Sequence, residues 1–373
     1  MSRLTVLQYI TPSRLGGAEE AYLNIVRDQK ARGHRVIAVT KRDAALRPMI
    51  ENCGVEVRGW HTHGKADPQT LSRLCRLIRR ERVDVIHTHL TTASWLGALA
   101  GKLTRKPVIA HVHAADAKTW FQFADYFRAV AWGVQKHLVA QGVAPEKIAV
   151  VYYGIEMKNF DGAPSRADSR RNLGVPPDAP VVGVVASLQE RKGHRFLLQA
   201  LKNIEAKFPD ARAIFAGEGP EEAALRQQAR ELGLENRVHF VGFRPDVREV
   251  LAACDAFALP SRKEGLSIAV MEAMAMGVPV VTSDIAGMSE VVRDGETGLL
   301  VPPFEVEPLA NALSQLWNDK VLAQRLAENA RVLLGEQFDL ARCLGDLEEF
   351  QRNVVSGWRG KERFRCDGAP ANL

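Results

Sequence analysis

The chain has 373 residues, 46% hydrophobic and 25% charged, with a formal net charge of +6. That is ordinary globular composition, enough for about two domains of roughly 100–200 residues each, and it excludes a low-complexity chain. Five scattered cysteines, an odd count without a C-x-x-C pair, suit a reduced cytosolic protein better than a disulfide framework.

The charge is uneven: residues 1–165 hold 24 Lys and Arg against 14 Asp and Glu, the remainder 26 against 30. A basic first half suggests an anionic partner there, either nucleic acid, anionic lipid or a phosphorylated substrate, or else only a solvated basic surface. The start of the chain lacks a signal-peptide layout, and no apolar run reaches the ~18 residues that span a bilayer. A soluble, cytoplasmic protein is expected.

In chain order, β-rich runs fall at 4–10, 34–40, 55–60, 83–89, 107–113 and 148–153, with helical patterns between them, as at 18–32 and 71–82. The alternation predicts a doubly wound parallel sheet. Residues 156–180 are rich in Pro, Gly, Asp and Ser and read as a linker. A second alternation follows at 180–187, 211–217, 237–242, 255–260 and 278–283, with helices at 195–208 and 221–232. Three helices close the chain, near 306–318, 320–335 and 339–356, and a basic tail from 357 reads as disordered. The fold class is α/β. The expected domains are 1–165, 166–340, and 341–373 as a helix returning to the first domain plus the tail. Two such domains imply a cleft, with ligands beyond the carboxyl ends of the strands.

Residues 264–281, EGLSIAVMEAMAMGVPVV, carry Glu264 and Glu272 and no other charge. Unpaired carboxylates are costly to bury. The segment reads as a loop holding Glu264, then a helix ended by Gly277 with Glu272 about two turns in. The N–H groups of Gly265, Leu266 and Ser267 fall at the helix start, a ready anion site. The two carboxylates can each accept both hydroxyls of a vicinal diol, which ribose and hexoses supply. The bland alternative is a capping Glu264 and a solvated Glu272. In SLQERKGH, Arg191 and Lys192 lie on a strand-to-helix turn. Adjacent cations suit a pyrophosphate, or form a solvated turn. Gly16 and Gly17 permit close backbone approach at a helix start, but they lack the G-x-G-x-x-G spacing of a dinucleotide site. That absence disfavours a nicotinamide oxidoreductase.

These motifs together resemble the large retaining family of GT-B-fold glycosyltransferases with the E-x7-E signature, the family 4-like "glycosyl transferases group 1". GIEMKNF (154–160), FAGEGP (215–220), RVHFVGF (237–243), PSRKEG (260–265), GMSEVV (287–292) and DGETGLLVPP (294–303) fit its C-terminal half in order. GGAE (16–19), DVIHTH (84–89) and VIAHVHA (108–114) fit its first half. The resemblance covers nearly all of residues 4–350. It implies two Rossmann-like domains facing a cleft, with the last helix crossing back to the first domain. It implies that Glu264 contacts the donor sugar and that Glu272 binds the ribose. Arg191 and Lys192 would hold and neutralise the diphosphate. The backbone near Phe243 and Arg244 would read the base. The loop of Gly16 and Gly17 would reach the diphosphate or acceptor, and His113 would sit beside the donor sugar. Many members carry an Arg where this chain has Ser187; Arg191 is the candidate replacement. The Asp-x-Asp metal motif of the other glycosyltransferase fold is absent from the expected loops, so no metal cofactor is expected.

Six of ten histidines form H-x-H pairs, His61/His63, His87/His89 and His111/His113. On a strand both rings share a face, which invites a zinc reading, but no Cys or carboxylate completes a ligand set. Packing is the alternative for His87, His89 and His111. In LSRLCRLIRRERVD (71–84), Leu71, Leu74, Leu77 and Ile78 form a stripe opposite Arg73, Arg76, Arg79, Arg80 and Arg82. This is a pattern suited either to an anionic membrane surface or to a solvated Rossmann helix. Trp358, Arg359, Lys361, Arg363, Phe364 and Arg365 could add to such a contact.

The sequence therefore predicts a metal-independent, retaining glycosyltransferase. It would move a sugar from a UDP- or GDP-sugar to a glycan or lipid-linked acceptor in surface polysaccharide or lipopolysaccharide synthesis. Its expected setting is the cytoplasm or the inner face of the cytoplasmic membrane, with no nucleic-acid partner. The alternatives are a GT-B-shaped nucleotide-sugar epimerase or hydrolase, and a non-catalytic nucleotide-sugar-binding module.

Overall fold

The computed structural model describes residues 2–12, 15–360 and 366. The chain forms two compact units, one running to Tyr153 and resuming at Ala341, the other covering Gly154–Leu340.

The first unit holds β1 (Thr5–Ile10), β2 (Arg35–Lys41), β3 (Glu56–Trp60), β4 (Val85–His89), β5 (Val108–Val112), β6 (Tyr126–Ala129) and β7 (Ile148–Val150). They form one seven-stranded sheet in the order β3-β2-β1-β4-β5-β6-β7. Every pairing is parallel; Tyr9 of β1 lies opposite Val39 of β2 on one side and Thr88 of β4 on the other. Helices α1 (Gly17–Ala31), α2 (Leu46–Asn52), α3 (Pro68–Arg80), α4 (Thr91–Thr104) and α5 (Trp132–Ala140) make the crossovers. The strands are short and buried along most of their length, which is why they read as continuous apolar runs rather than alternating ones. The chain order reverses between β1 and β4, so the loops after these strands diverge and leave a crevice at their carboxyl ends.

Helix α3 starts sharply. Asp67 caps it by accepting from the Thr70 N–H at 2.9 Å, and Pro68 occupies the first turn. Its Leu74, Cys75, Leu77 and Ile78 are buried in a core cluster with Leu96 and Ala100 of α4. The leucine stripe is thus spent on the core, and the exposed side carries Arg73, Arg76, Arg79 and Arg80.

The second unit contains α6 (Arg166–Asn172), β8 (Val181–Val185), α7 (His194–Asn203), β9 (Arg212–Ala216), α8 (Glu222–Glu231), β10 (Val238–Gly242) and α9 (Arg248–Ala252). It continues with β11 (Ala256–Leu259), α10 (Ile268–Ala275), β12 (Val280–Ser283), α11 (Met288–Val291), β13 (Leu299–Val301), α12 (Val306–Asn318) and α13 (Lys320–Gln337). Its six strands are again all parallel, in the order β10-β9-β8-β11-β12-β13. The reversal here falls between β8 and β11. The last helix, α14 (Leu340–Gly360), packs on the first unit: Phe350, Val354 and Val355 join Leu4, Val6 and Val85 in one core cluster.

Three expectations change. The stretch 156–180 is not a free linker, because α6 is fastened to the second unit by Arg170. This side chain is 2% exposed; it donates to the Ala253 carbonyl at 3.0 Å and to Asp255 at 2.8 Å. A polar anchor replaces the apolar one, so the segment lacks the hydrophobic signature of an ordered element. The units divide after Tyr153, ahead of the boundary expected at 165. The first residues of the expected disordered tail are helical: Trp358 Nε1 donates to the Arg105 carbonyl at 3.2 Å and Arg359 pairs with Asp84. Lys361, Arg363, Phe364 and Arg365 lie outside the described residues. Among the described residues no helix is long and apolar enough to cross a membrane.

Candidate active site

In the second unit the loops after β8 and β11 meet at the reversal point. Residues 190–192 form one 3-10 turn, and Gly193 then enters α7 at φ +78°. A Cβ at Gly193 would lie 2.2 Å from the Pro260 carbonyl oxygen, so the two loops touch through backbone and only glycine fits. The Arg262 N–H donates to the Arg191 carbonyl at 2.9 Å. This seam brings together residues 72 and 73 apart: Lys192 Nζ lies 2.5 Å from Glu264 Oε1, and Arg191 Nη1 lies 3.8 Å from Oε2. Arg191 also donates to the Lys263 carbonyl at 3.0 Å and to Gln189 at 3.1 Å. The Lys192 and Glu264 side chains are 12% and 9% exposed, while Arg191 is 37% exposed. One carboxylate therefore holds two cations at the mouth of the sheet.

Gly265, Leu266 and Ser267 are buried just beyond Glu264. Helix α10 begins at Ile268 rather than Leu266, so Glu272 stands little more than one turn inside it, half-buried. Phe243 is exposed past the end of edge strand β10. Arg244 turns back onto its own loop, donating to the Val241 carbonyl at 3.1 Å and lying 3.9 Å from Glu249. Ser187, where an Arg was expected from the resemblance, is half-buried; its carbonyl accepts from the Gln189 N–H at 2.8 Å. A groove of about 440 Å³ between α7 and α8 is lined by none of the candidate residues.

In the first unit, a cavity of about 220 Å³ opens at the β1–β4 reversal and is lined by Thr11, Leu90, Thr91, His111, His113, Asp116 and Phe121. His113, just past the end of β5, is one of its lining residues. Gly16 takes an extended conformation, φ −177°, as N-cap of α1, so it is not required there for its torsions. Leu90 was not legible in sequence. It enters α4 at φ 68°, ψ 165°, a region almost reserved for glycine and costing roughly 1–3 kcal/mol. The Thr11 hydroxyl accepts from the Ala93 N–H at 3.2 Å and so ties the loop after β1 to the start of α4.

Beneath this cavity the H-x-H histidines are stacked rather than metal-like. His87 Nδ1 and His111 Nε2 are 2.8 Å apart, the His89 ring lies 4.0 Å from His111, and His113 Nδ1 bonds the Tyr153 hydroxyl. Arg128, 3% exposed, donates toward His111 Nδ1 at 3.4 Å and to the carbonyls of Val151 and Tyr152 at 3.0 and 2.8 Å. Burial, reinforced by Arg128, pushes the His87 and His113 imidazoles down to about 3, and His89 and His111 are lowered as well. All four rings are neutral at working pH. His61 and His63 follow β3 in a loop; the His61 ring is 3.7 Å from Asp43, and the His63 N–H donates to Asp67 at 2.9 Å. Among the described residues no three His, Cys, Asp or Glu side chains are grouped to hold a metal.

Residues 165–333 match the family model "Glycosyl transferases group 1" and residues 15–159 match "Glycosyltransferase Family 4". The chain is 31% identical over 334 residues to the lipopolysaccharide core biosynthesis glycosyltransferase LpsE of Rhizobium meliloti, spanning 87% of this chain and 92% of that one. It is 26% identical over 311 residues to the UDP-Gal:alpha-D-GlcNAc-diphosphoundecaprenol alpha-1,3-galactosyltransferase of Escherichia coli, covering 78% and 80% of the two chains. The crystal structure of Anabaena Alr3699/HepE in complex with UDP-glucose superposes with a TM-score of 0.86 at 27% identity, covering 94% of this chain and all of that one. With two all-parallel sheets and matches in both units, the chain belongs to the glycosyl transferases group 1, family 4 lineage, and is a glycosyltransferase.

Proposed function

We propose that the enzyme transfers a sugar from a nucleotide-diphosphate sugar to a glycan or lipid-linked glycan acceptor of a bacterial surface polysaccharide or lipopolysaccharide. Transfer would retain the anomeric configuration and need no metal. The observation that carries this reading is the Arg191–Lys192–Glu264 cluster at the β8–β11 reversal. Two cations at a sheet's carboxyl ends match a diphosphate. A relative named for a UDP-Gal donor and a neighbour crystallised with UDP-glucose favour a UDP-sugar over a GDP-sugar.

In this reading the diphosphate engages Arg191 and Lys192, and the N–H groups of Gly265, Leu266 and Ser267 take phosphate oxygens. Glu264 turns to the sugar hydroxyls and stabilises positive charge developing at the anomeric carbon. Glu272 accepts the ribose hydroxyls, main-chain groups at Phe243 and Arg244 read the base, and the Gly16–Gly17 loop approaches the diphosphate or acceptor. His113, neutral, borders the donor sugar. The bond from the anomeric carbon to the diphosphate oxygen breaks as the acceptor oxygen attacks from the same face. The acceptor's proton passes to the departing diphosphate oxygen, so no enzymic nucleophile is required. The exposed arginines of α3 support a further contact, electrostatic and without insertion, between the first unit and anionic lipid at the inner membrane face.

The test is ligand-observed NMR with UDP-, GDP-, dTDP- and ADP-sugars, with and without EDTA. It is followed by anomeric analysis of any product. Selective binding of one donor that survives EDTA and is lost in Glu272→Ala is the expected result. A product of inverted configuration, or binding that EDTA abolishes, rejects the mechanism.

A further inference from the structure

The Tyr153–His113 contact lies at the end of the histidine stack, and the protons along that stack can be assigned. Arginine only donates, so the Arg128 contact makes His111 Nδ1 an acceptor. His111 then carries its proton on Nε2 and donates to His87 Nδ1. On the other side Glu348 only accepts. This orients an amide series in which Gln351 donates to Glu348 at 3.2 Å, Gln29 to Gln351 at 2.7 Å and Gln8 to Gln29 at 2.9 Å. The Gln8 carbonyl oxygen, 3.0 Å from His89 Nε2, therefore receives a proton from His89. His113 remains. The Tyr153 hydroxyl is buried, burial pushes its pKa upward, and its hydrogen-bond partner is His113 Nδ1. A buried O–H must donate somewhere, and only one proton arrangement lets it: Tyr153 donates to Nδ1, and His113 keeps its proton on Nε2. That atom is enclosed and has no partner among the described residues, on a side chain that lines the cavity.

We infer that Tyr153, held in place by Arg128, is a positioning residue that fixes His113 as an Nε2–H donor toward a sugar hydroxyl oxygen bound in the first unit's cavity. Arg128 supports it twice, by binding the carbonyls of residues 151 and 152 and by lying 5.2 Å over the Tyr153 ring. Without the hydroxyl, nothing selects between the two neutral imidazole forms, and the donor is present only part of the time. The role for the sugar rests on the proposed function; the proton assignment does not.

The experiment labels the histidine imidazoles with nitrogen-15 in the full-length protein and reads the long-range nitrogen–proton correlation pattern, with His113→Gln to assign the His113 signals. Wild type should show one form, protonated on Nε2. Tyr153→Phe should show a mixture, and 4-aminophenylalanine at position 153, which still donates, should restore the single form. In parallel, Tyr153→Phe should lower kcat at least tenfold with little change in donor KM, and the amino analogue should recover most of it. Wild-type His113 protonated on Nδ1, or an unchanged single form in Tyr153→Phe, overturns the inference without needing any variant to be active. An inactive wild type with the expected correlation pattern would reject the proposed function and leave the proton assignment standing.

Discussion

Lowering pH from 8 to 5.5 should destabilise the first unit steeply. His87, His89 and His111 are buried beside the buried Arg128 cation, and half-buried His113 lines the cavity next to them, all four with their folded-state affinities for protons depressed. A base whose folded pKa is lowered costs stability as pH falls below its unfolded value near 6.5, because only the unfolded chain takes up the proton. At pH 5.5 the cost is about 1.4 kcal/mol per ring, and it is insensitive to how far below 5 the folded value lies. Four rings give about 5–6 kcal/mol, comparable with the whole stability of a typical domain. The carboxyls of this unit held above their usual range, Glu20 and Asp346, are exposed, and solvent screening limits their opposing effect. Urea titration followed by tryptophan fluorescence reports mainly on this unit, since every tryptophan except Trp317 lies in it. With a urea slope of about 2–3 kcal/mol per molar, the midpoint should drop by about 2 M, and His113→Gln should flatten the dependence by about a quarter. A midpoint that moves by less than about 0.5 M would refute the reading of a neutral histidine stack.

Three further outcomes follow from the same geometry. Gly193→Ala, which puts a methyl group against the Pro260 carbonyl at positive φ, should destabilise the second unit by about 2–3 kcal/mol in thermal unfolding. Donor binding should weaken with it, and an unchanged melting temperature would contradict the packing. Glu264→Gln should cut turnover more than tenfold yet tighten binding of UDP alone, measured by calorimetry. Reversing Arg73, Arg76 and Arg80 to Glu should abolish sedimentation with phosphatidylglycerol vesicles while sparing the fold. Wild-type binding to neutral phosphatidylcholine vesicles would count against an electrostatic contact.

The sequence resolved what was periodic and lost what was held by polar groups. The Tyr126–Ala129 strand is YFRA, four residues with an arginine inside; a buried cation there reads as a loop until its carbonyl partners are known. The Leu299–Val301 strand has three residues and offers no period to detect. Helix α6 reads as linker in the sequence because Arg170, not a hydrophobic side chain, fastens it. In the candidate site, Glu264, Arg191 and Lys192 were legible because their charges interrupt apolar or turn segments, and the structure joins them. Leu90 and Tyr153 gave no such signal. One matters through its backbone torsions, the other through a single hydroxyl at the end of a strand-rich segment.

The pairing of Glu264 with Lys192 and Arg191 also answers why a carboxylate sits in an apolar loop. In the proposed reading, two adjacent cations at this half-buried turn repel one another before a diphosphate arrives. Glu264 supplies the missing negative charge and holds both side chains in place before a ligand arrives, lowering the ordering cost of binding. The same contact then competes with the ligand. A diphosphate bound as proposed would displace the carboxylate from Lys192, so some of its attraction to the cations would be cancelled in the ground state. Replacing Glu264 by a neutral isostere removes that competition, which is why UDP should bind more tightly to Glu264→Gln. In the proposed reading the displaced carboxylate then serves the sugar: with the cations turned to the phosphates, its negative charge would face the carbon where positive charge develops. On this account one residue keeps the empty site ordered and stabilises the reacting one, and the two roles separate experimentally because one substitution moves affinity and turnover in opposite directions.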